Sequence, residues 1–253
     1  MSEIAGSSID KVLVIIPTYN EAENIESIVA RLRSAVPQAS VLIADDNSPD
    51  GTGDIADSMA AEDSSVHVMH RAGKQGLGAA YIAGFKWGLA NDYQVIVEMD
   101  ADGSHQPELL PNILAALENA DMVKGSRWVK GGATDQEKHR EFLSRAANVW
   151  IQMAMDIPVR DSTGGFNAFR ADILKKIDLD DIESHGYTFQ VDMTRRVIEA
   201  GGKVSEVPIY FPDRTLGASK MSGGIIAEAL MRTAGWGAKR RWNQVKNLFN
   251  KAK

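Results

Sequence analysis

Short apolar runs alternate with helix-period segments over the first two thirds of this 253-residue chain, and that alternation constrains the fold more than any other feature. Val12 to Ile16, Val41 to Ala44, Val66 to His70 and Val95 to Met99 read as strands. Between and after them, Asn24 to Ala35, Asp54 to Ala61, Gly78 to Leu89 and Pro107 to Leu117 carry apolar residues at helical spacing. Alternation of this kind builds βαβ units and a parallel sheet. Regularity then weakens. Gly125 to Asp135 reads as a glycine-rich mobile loop, Glu137 to Met155 as a helix and Asp161 to Phe166 as a Gly turn. Lys203 to Phe211 reads as one strand, Pro212 to Gly224 as a loop and Ile225 to Lys253 as helical. No repeat or low-complexity tract interrupts the chain.

Composition excludes several function classes. The chain has 28 Lys and Arg against 34 Asp and Glu, a formal charge of −6, where a wholesale nucleic-acid binder is normally basic. With no Cys there is no disulfide, thiolate nucleophile or zinc ribbon, so any metal must sit on oxygen or imidazole ligands. Met1 to Lys11 carries Glu3 and Asp10 and lacks the basic start and apolar stretch of a signal peptide, so none is expected. No apolar run reaches the roughly 18 residues of a membrane span. A location in the cytosol or on a membrane surface is expected.

In open parallel sheets, ligands bind beyond the carboxyl ends of the strands. Three of those ends are acidic or polar here: Pro17, Thr18, Tyr19, Asn20, Glu21 after the first strand, Asp45, Asp46, Asn47, Ser48 after the second, and Asp100, Ala101, Asp102 after the fourth. No glycine-rich phosphate cradle is present, since Gly76, Leu77, Gly78 continues as Ala79, Ala80, Tyr81 and no GxxxxGK occurs. Acidic ends in place of glycine loops point to phosphate held through Mg²⁺ or Mn²⁺, with two carboxylates one residue apart facing the cation. The alternative at Asp100 and Asp102 is a pair of solvated turn carboxylates. At Asp45 and Asp46 the alternative is turn and helix capping, and both roles can coexist.

Five segments together, IPTYNE (Ile16 to Glu21), DDNSPDGT (Asp45 to Thr52), DADGSHQP (Asp100 to Pro107), GSR (Gly125 to Arg127) and RTLGASK (Arg214 to Lys220), resemble the polyprenol-phosphate and dolichol-phosphate mannose synthases of glycosyltransferase family 2. The resemblance runs from Lys11 to about Gly224. It implies a GT-A fold, an α/β architecture with a mostly parallel sheet flanked by helices, over residues 1–220, followed by a basic amphipathic extension over 221–253. It implies GDP-mannose as donor and a polyprenyl or dolichyl monophosphate as acceptor; in-line single displacement between them inverts the anomeric centre. Pro17, Tyr19, Glu21, Ala44 and Asp46 then line the nucleoside pocket. Asp100, Ala101 and Asp102 match the family's DAD, with Asp102 the principal metal ligand and Ser104 at the position of a second one. Arg127, Arg214 and Lys220 face phosphate, with Asp102 and Arg127 the catalytic pair; for Arg214 and Lys220 the alternative is a pair of solvated loop charges. Arg140 and Arg145 are candidates for the acceptor phosphate, with plain surface charge as the alternative. His105 and Gln106 receive no role. The QxxRW motif of processive relatives is absent, because Ala238 precedes Arg241 and Trp242 where Gln is required.

From Met221 to Lys253 seven cations face one anion, Glu228, and apolar residues recur at helical steps. Such a helix lies in a membrane interface or docks on the catalytic body. A peripheral position on the cytoplasmic face of a membrane is therefore expected. Family members often append transmembrane helices or need a membrane-protein partner; neither a span nor a partner motif is visible here. Two other readings stay open: the same fold with a UDP-glucose-type donor, and a catalytically inert module that binds nucleotide sugars or membrane surfaces.

Overall fold

The structure, a computed structural model, describes residues 9–184, 186–212, 231–238 and 240–242. All four expected strands form, as β1 (Val12–Thr18), β2 (Ser40–Asp45), β3 (Val66–His70) and β4 (Val95–Glu98). The helices between them are α1 (Ile25–Ala35), α2 (Thr52–Glu62) and α3 (Leu77–Ala90), and α4 (Leu110–Ala116) follows β4 after a 3₁₀ turn at Pro107–Leu109. In α1, Ile25, Ile28, Val29 and Leu32 form one buried stripe, the pattern that a helix lying on a sheet requires.

The seven-stranded sheet has the order β3-β2-β1-β4-β7-β5-β8. Strands β1 to β4 pair in parallel, with Val12 opposite Val95 and Val14 opposite Val41. The chain turns back at β1 and β4, so the carboxyl ends of these two strands flank the switch point where open α/β sheets bind ligands. Side chains alternate across the sheet. Val14, Ile16, Ile43 and Val97 pack under α1 and α4, while Leu13, Ile15, Leu42 and Ile96 pack under α3 and the later helices. Gly84 and Gly88 let α3 approach closely, since a Cβ there would come within 2.7 Å of the Ile15 and Ile96 side chains.

The second half departs from the sequence expectation. β5 (Met122–Ser126) is wholly buried and takes in Gly125 and Ser126, which the sequence reading placed in a loop. A lysine inside the run hides the strand, because Lys124 is fully buried. β6 (Ala133–Thr134) is a further short strand in that segment, and α5 (Lys138–Met155) matches the expected helix. β7 (Asn167–Arg170) runs antiparallel between β4 and β5, and α6 (Ala171–Leu174) and α7 (Tyr187–Glu199) follow. At four residues, β7 carries too little alternation to be read from sequence alone. The expected single strand at 203–211 divides into β8 (Val204–Pro208), parallel to β5, and β9 (Tyr210–Phe211), which pairs with β6. Pro208 carries no N–H to continue a ladder, and the chain changes sheets after it. Residues 231–238 and 240–242 are helical, as expected. The rest of the expected C-terminal helix lies outside the described residues.

Phe169 is fully buried on β7 and meets Phe85 edge to face with ring centroids 5.4 Å apart, which ties the inserted strand to α3. Phe169→Ala should cost about 3 to 5 kcal/mol. Guanidinium titration should show a lower midpoint at unchanged slope; an unshifted midpoint would show that β7 does not hold the core together.

Candidate active site

The ends of β1 and β2 are laced together by hydrogen bonds. The Thr18 hydroxyl donates to Asp45 Oδ1 at 2.9 Å, and the Ser48 backbone N–H donates to Asp45 Oδ2 at 3.0 Å. Asn20 N–H donates to Ser48 Oγ at 3.1 Å, Glu21 N–H to Thr52 Oγ1 at 3.0 Å and Ala22 N–H to Asp50 Oδ2 at 3.1 Å. Asn20 and Asn47 adopt left-handed backbone conformations, which asparagine tolerates better than most residues. The two adjacent aspartates therefore divide the roles left open by sequence. Asp45 braces the turn, while Asp46 forms an ion pair with Arg71 at the end of β3. Burial raises the Asp46 carboxyl above its usual value, against the opposing effect of the Arg71 charge.

Pro17 and Glu21 are half-buried, Ala44 is fully buried and the Tyr19 ring is exposed. Lys74 Nζ sits 3.9 Å from the Tyr19 ring centroid. Arg71 and Lys74 were not foreseen. Their signal was position, just beyond the carboxyl end of β3.

After β4, Asp100 is held from two sides. The buried Tyr81 hydroxyl on α3 donates to Asp100 Oδ1 at 2.8 Å, and the Asp100 backbone N–H donates to His105 Nδ1 at 2.9 Å. That second bond leaves the His105 proton on Nε2 in the neutral ring. His105 is itself buried and stacks on Phe166 with centroids 5.2 Å apart. Asp102 Oδ1 accepts from the Ser104 backbone N–H at 3.0 Å and from the Ser104 hydroxyl at 2.5 Å. Ser104, expected on the metal side, thus donates to the carboxylate next to it, and Ala101 is buried between the two aspartates. This donor set consists of oxygen alone, which suits a hard divalent cation such as Mg²⁺ or Mn²⁺. Among the described residues no three His, Asp or Glu side chains converge, so a cation at Asp100 and Asp102 would complete its shell with phosphate or water oxygens.

Arg127, at the end of β5, grips Asp161. Its backbone N–H, Nε and Nη2 donate to the Asp161 carboxylate at 3.0, 2.7 and 2.8 Å. The edge of the guanidinium expected to face phosphate is committed to this buried ion pair. Asp161 N–H and Arg160 N–H both donate to Glu206, and Ser162 N–H donates to Asn148 on α5. The segment read from sequence as a Gly turn is thus anchored to β8, α5 and Arg127. Beneath it lies a second buried group: Lys124 donates to Asn167 Oδ1 at 2.8 Å, and Asn167 Nδ2 donates to Glu98 Oε2 at 2.7 Å. Burial raises the Glu98 carboxyl above its usual value and lowers the Lys124 amine below its own. Arg145 lies with its guanidinium 4.3 Å from the Trp128 ring centroid and pairs with Glu141, and Arg140 is half-buried on the same helix. Arg214 and Lys220 lie outside the described residues.

Burial pushes the Asp161 carboxyl up, but the Arg127 charge and hydrogen bonds outweigh it and hold the group below 3.8. A lowered carboxyl contributes stability that is complete above the unfolded value and is lost as pH falls through the folded one. Asp161→Asn leaves a buried guanidinium without its anion and should cost about 3 to 5 kcal/mol at neutral pH. In denaturant titrations across pH, the gap between wild type and variant should narrow only below about pH 4. A gap that stays constant into acid would show that Asp161 is not ionised in the native state.

The chain matches the sequence profile of Glycosyl transferase family 2 over residues 13–178. It is 55% identical over 233 residues to an undecaprenyl-phosphate mannosyltransferase of Micrococcus luteus, covering 92% of this chain and 96% of that protein. It is 49% identical over 241 residues to a polyprenol monophosphomannose synthase of Mycolicibacterium smegmatis, covering 94% and 91%. A mannosyltransferase of Pyrobaculum calidifontis, solved with GDP-Man and Mn²⁺, shares the fold with a TM-score of 0.56 at 16% identity, covering 88% of this chain and 68% of that one. With its mostly parallel sheet and its near-full-length likeness to the Micrococcus and Mycolicibacterium proteins, the chain belongs to glycosyl transferase family 2, on a GT-A fold, in the polyprenol-phosphate mannose synthase group.

Proposed function

We propose that this protein transfers mannose from GDP-mannose to the phosphate of a polyprenyl monophosphate, with inversion, giving polyprenyl-phosphate mannose and GDP. The observation that carries this reading is the near-full-length identity to two polyprenyl-phosphate mannose transferases, in a chain whose acidic strand ends share one edge of the sheet. GDP-mannose as the donor draws on the GDP-Man bound by the Pyrobaculum mannosyltransferase. Mn²⁺ in that structure supports a divalent cation here as well.

Asp100 and Asp102 are the residues that would hold the cation. When bound, it offsets the charge of the diphosphate and eases its departure. The chain's own contribution is positional. Tyr81 and the His105 ring fix Asp100, and Ser104 fixes Asp102, so both carboxylates are oriented before donor arrives. Pro17, Tyr19, Glu21, Ala44 and the Asp46–Arg71 pair would line the nucleoside side. Arg127 adds positive charge while it holds the Asp161 to Gly165 segment in place. Arg214 and Lys220 would bring further cations to the phosphates, and Arg140 and Arg145 would meet the acceptor phosphate. A phosphate monoester has a second pKa near about 6 and is already a competent nucleophile at neutral pH, so no catalytic base is required. No described helix is long and apolar enough to cross a membrane, and the enzyme would meet its lipid acceptor from the cytoplasmic face as a peripheral protein.

The test is transfer of labelled sugar from GDP-mannose and UDP-glucose to polyprenyl phosphate, with Mg²⁺, Mn²⁺ or a chelator. Mannosyl product formed only with metal is the expected result; a preference for UDP-glucose would overturn the donor assignment, and no product from either would remove the enzyme reading. Asp102→Ala should abolish turnover with the melting temperature unchanged. Tyr81→Phe deletes one hydroxyl beside Asp100 and should raise the metal concentration for half-maximal rate by roughly tenfold. An unchanged metal requirement would show that Tyr81 does not orient a metal ligand.

A further inference from the structure

Glu98 on β4, Asn167 on β7 and Lys124 on β5 stand in one register row across three neighbouring strands, and each is fully buried. Their side chains bond along that row. Besides the bonds from Lys124 to Asn167 and from Asn167 to Glu98, Asn167 Nδ2 donates to Gln190 Oε1 on α7 at 2.7 Å. Such a row is not the most stable filling for a core. Desolvating two charges is costly, and apolar residues of similar volume are often as stable or more so. Two polar atoms of the group, Glu98 Oε1 and Gln190 Nε2, are also buried without a hydrogen-bond partner. Stability therefore gives no account of why the row is there.

What the row does reach is the ligand edge of the sheet. β7 runs antiparallel between β4 and β5, so its amino end lies where those strands end, and residues 161–166 enter the sheet between Asp100 and Arg127. The Gly164 carbonyl accepts from Lys124 Nζ at 3.2 Å and from Asn167 Nδ2 at 3.1 Å. One residue on, a Cβ at Gly165 would lie 3.3 Å from His105 Cε1, so a bare glycine lets the turn sit against that ring. His105 Nδ1 in turn accepts from the Asp100 N–H. On the far side, Arg127 Nη2 donates to Thr163 Oγ1 at 3.1 Å and the Gly125 N–H donates to the Phe166 carbonyl at 2.7 Å. The turn thus has the polar row beneath it, Asp100 on one flank through His105, and Arg127 on the other.

We infer that Lys124 is a positioning residue for sugar transfer: with Asn167 and Glu98 it holds the Gly164–Gly165 turn at a fixed distance from Asp100, and so sets the acceptor side of the site against the metal side. Displacement requires the reacting atoms to approach within roughly 3 to 3.5 Å, and a misplacement of about 1 Å can lower the rate by about a hundredfold. Lys124, fully buried, touches neither substrate in this role and acts through the Gly164 carbonyl. An ammonium suits the task because it donates to two acceptors at once, and the Glu98 carboxylate, reached through Asn167, offsets its charge. The inference rests on the proposed transfer for its kinetic consequence; the holding of the turn is independent of it.

The test compares full-length wild type with Lys124→Met and with the double variant Glu98→Gln, Lys124→Met, which removes both buried charges and keeps side-chain volume. Lys124→Met alone leaves a buried carboxylate without its cation and should lower the guanidinium midpoint; the double variant should recover most of that loss. Transfer should not recover with it. In the double variant kcat should stay roughly ten- to a hundredfold below wild type, while the KM for GDP-mannose remains within about twofold. Backbone amide exchange, read by mass spectrometry, should be faster over 161–167 in the double variant and unchanged over β1 and β2. If wild type transfers no sugar while the difference in exchange persists, the proposed reaction fails and the held turn stands. Equal exchange over 161–167 in the two proteins overturns the inference, and so does a double variant whose kcat matches wild type. A kcat and a KM for GDP-mannose that worsen together would show general loosening of the site and overturn it as well.

Discussion

The ion pair between Arg127 and Asp161 is the interaction on which the second half of the structure depends. Three hydrogen bonds join the two residues, both buried, and each would be costly there alone. Their union fixes the end of β5 to the segment that precedes β7. Around it, Glu206 from β8 and Asn148 from α5 take up the backbone N–H groups of that segment. A loop with little regular structure of its own is thereby tied to two strands and a helix, and α5 is set against the site. The orientation of α5 then decides which of its faces looks outward.

A different problem is solved on the other side of the switch point. Four aspartates, Asp45, Asp46, Asp100 and Asp102, lie at the carboxyl ends of parallel strands, where like charges repel. Each is met by a donor or a cation: Thr18 and Ser48 at Asp45, Arg71 at Asp46, Tyr81 at Asp100 and Ser104 at Asp102. Those partners hold the four carboxylates in fixed orientations despite their mutual repulsion.

Much of the first half was legible from sequence because each element there obeys a single local rule. β1, β2 and β4 are continuous apolar runs, as parallel strands buried on both faces must be. The acidic ends were legible for the same reason, since the residues after each run fall at the ligand edge. The second half obeys local rules less well. β5 contains a buried lysine, β7 has only four residues, and the run at 203–211 serves two sheets. Tyr81, Arg71 and His105 were not foreseen because each acts on a residue outside its own element or turn, or through a backbone group, and nothing in a linear pattern marks such partners.

The sequence by itself determined the alternation of strand and helix, the chemistry of the three acidic ends and the exclusion of thiolate from any metal site. These follow from side-chain period and residue type, which are local properties. Only the tertiary structure decided that Asp45 braces a turn while Asp46 pairs with Arg71, that Arg127 is committed to Asp161, and that α5 turns five large apolar side chains outward. Those outcomes depend on which groups from distant parts of the chain meet in low dielectric. Burial makes an unpaired charge or polar group costly there, and so selects one arrangement from several that the sequence alone allows.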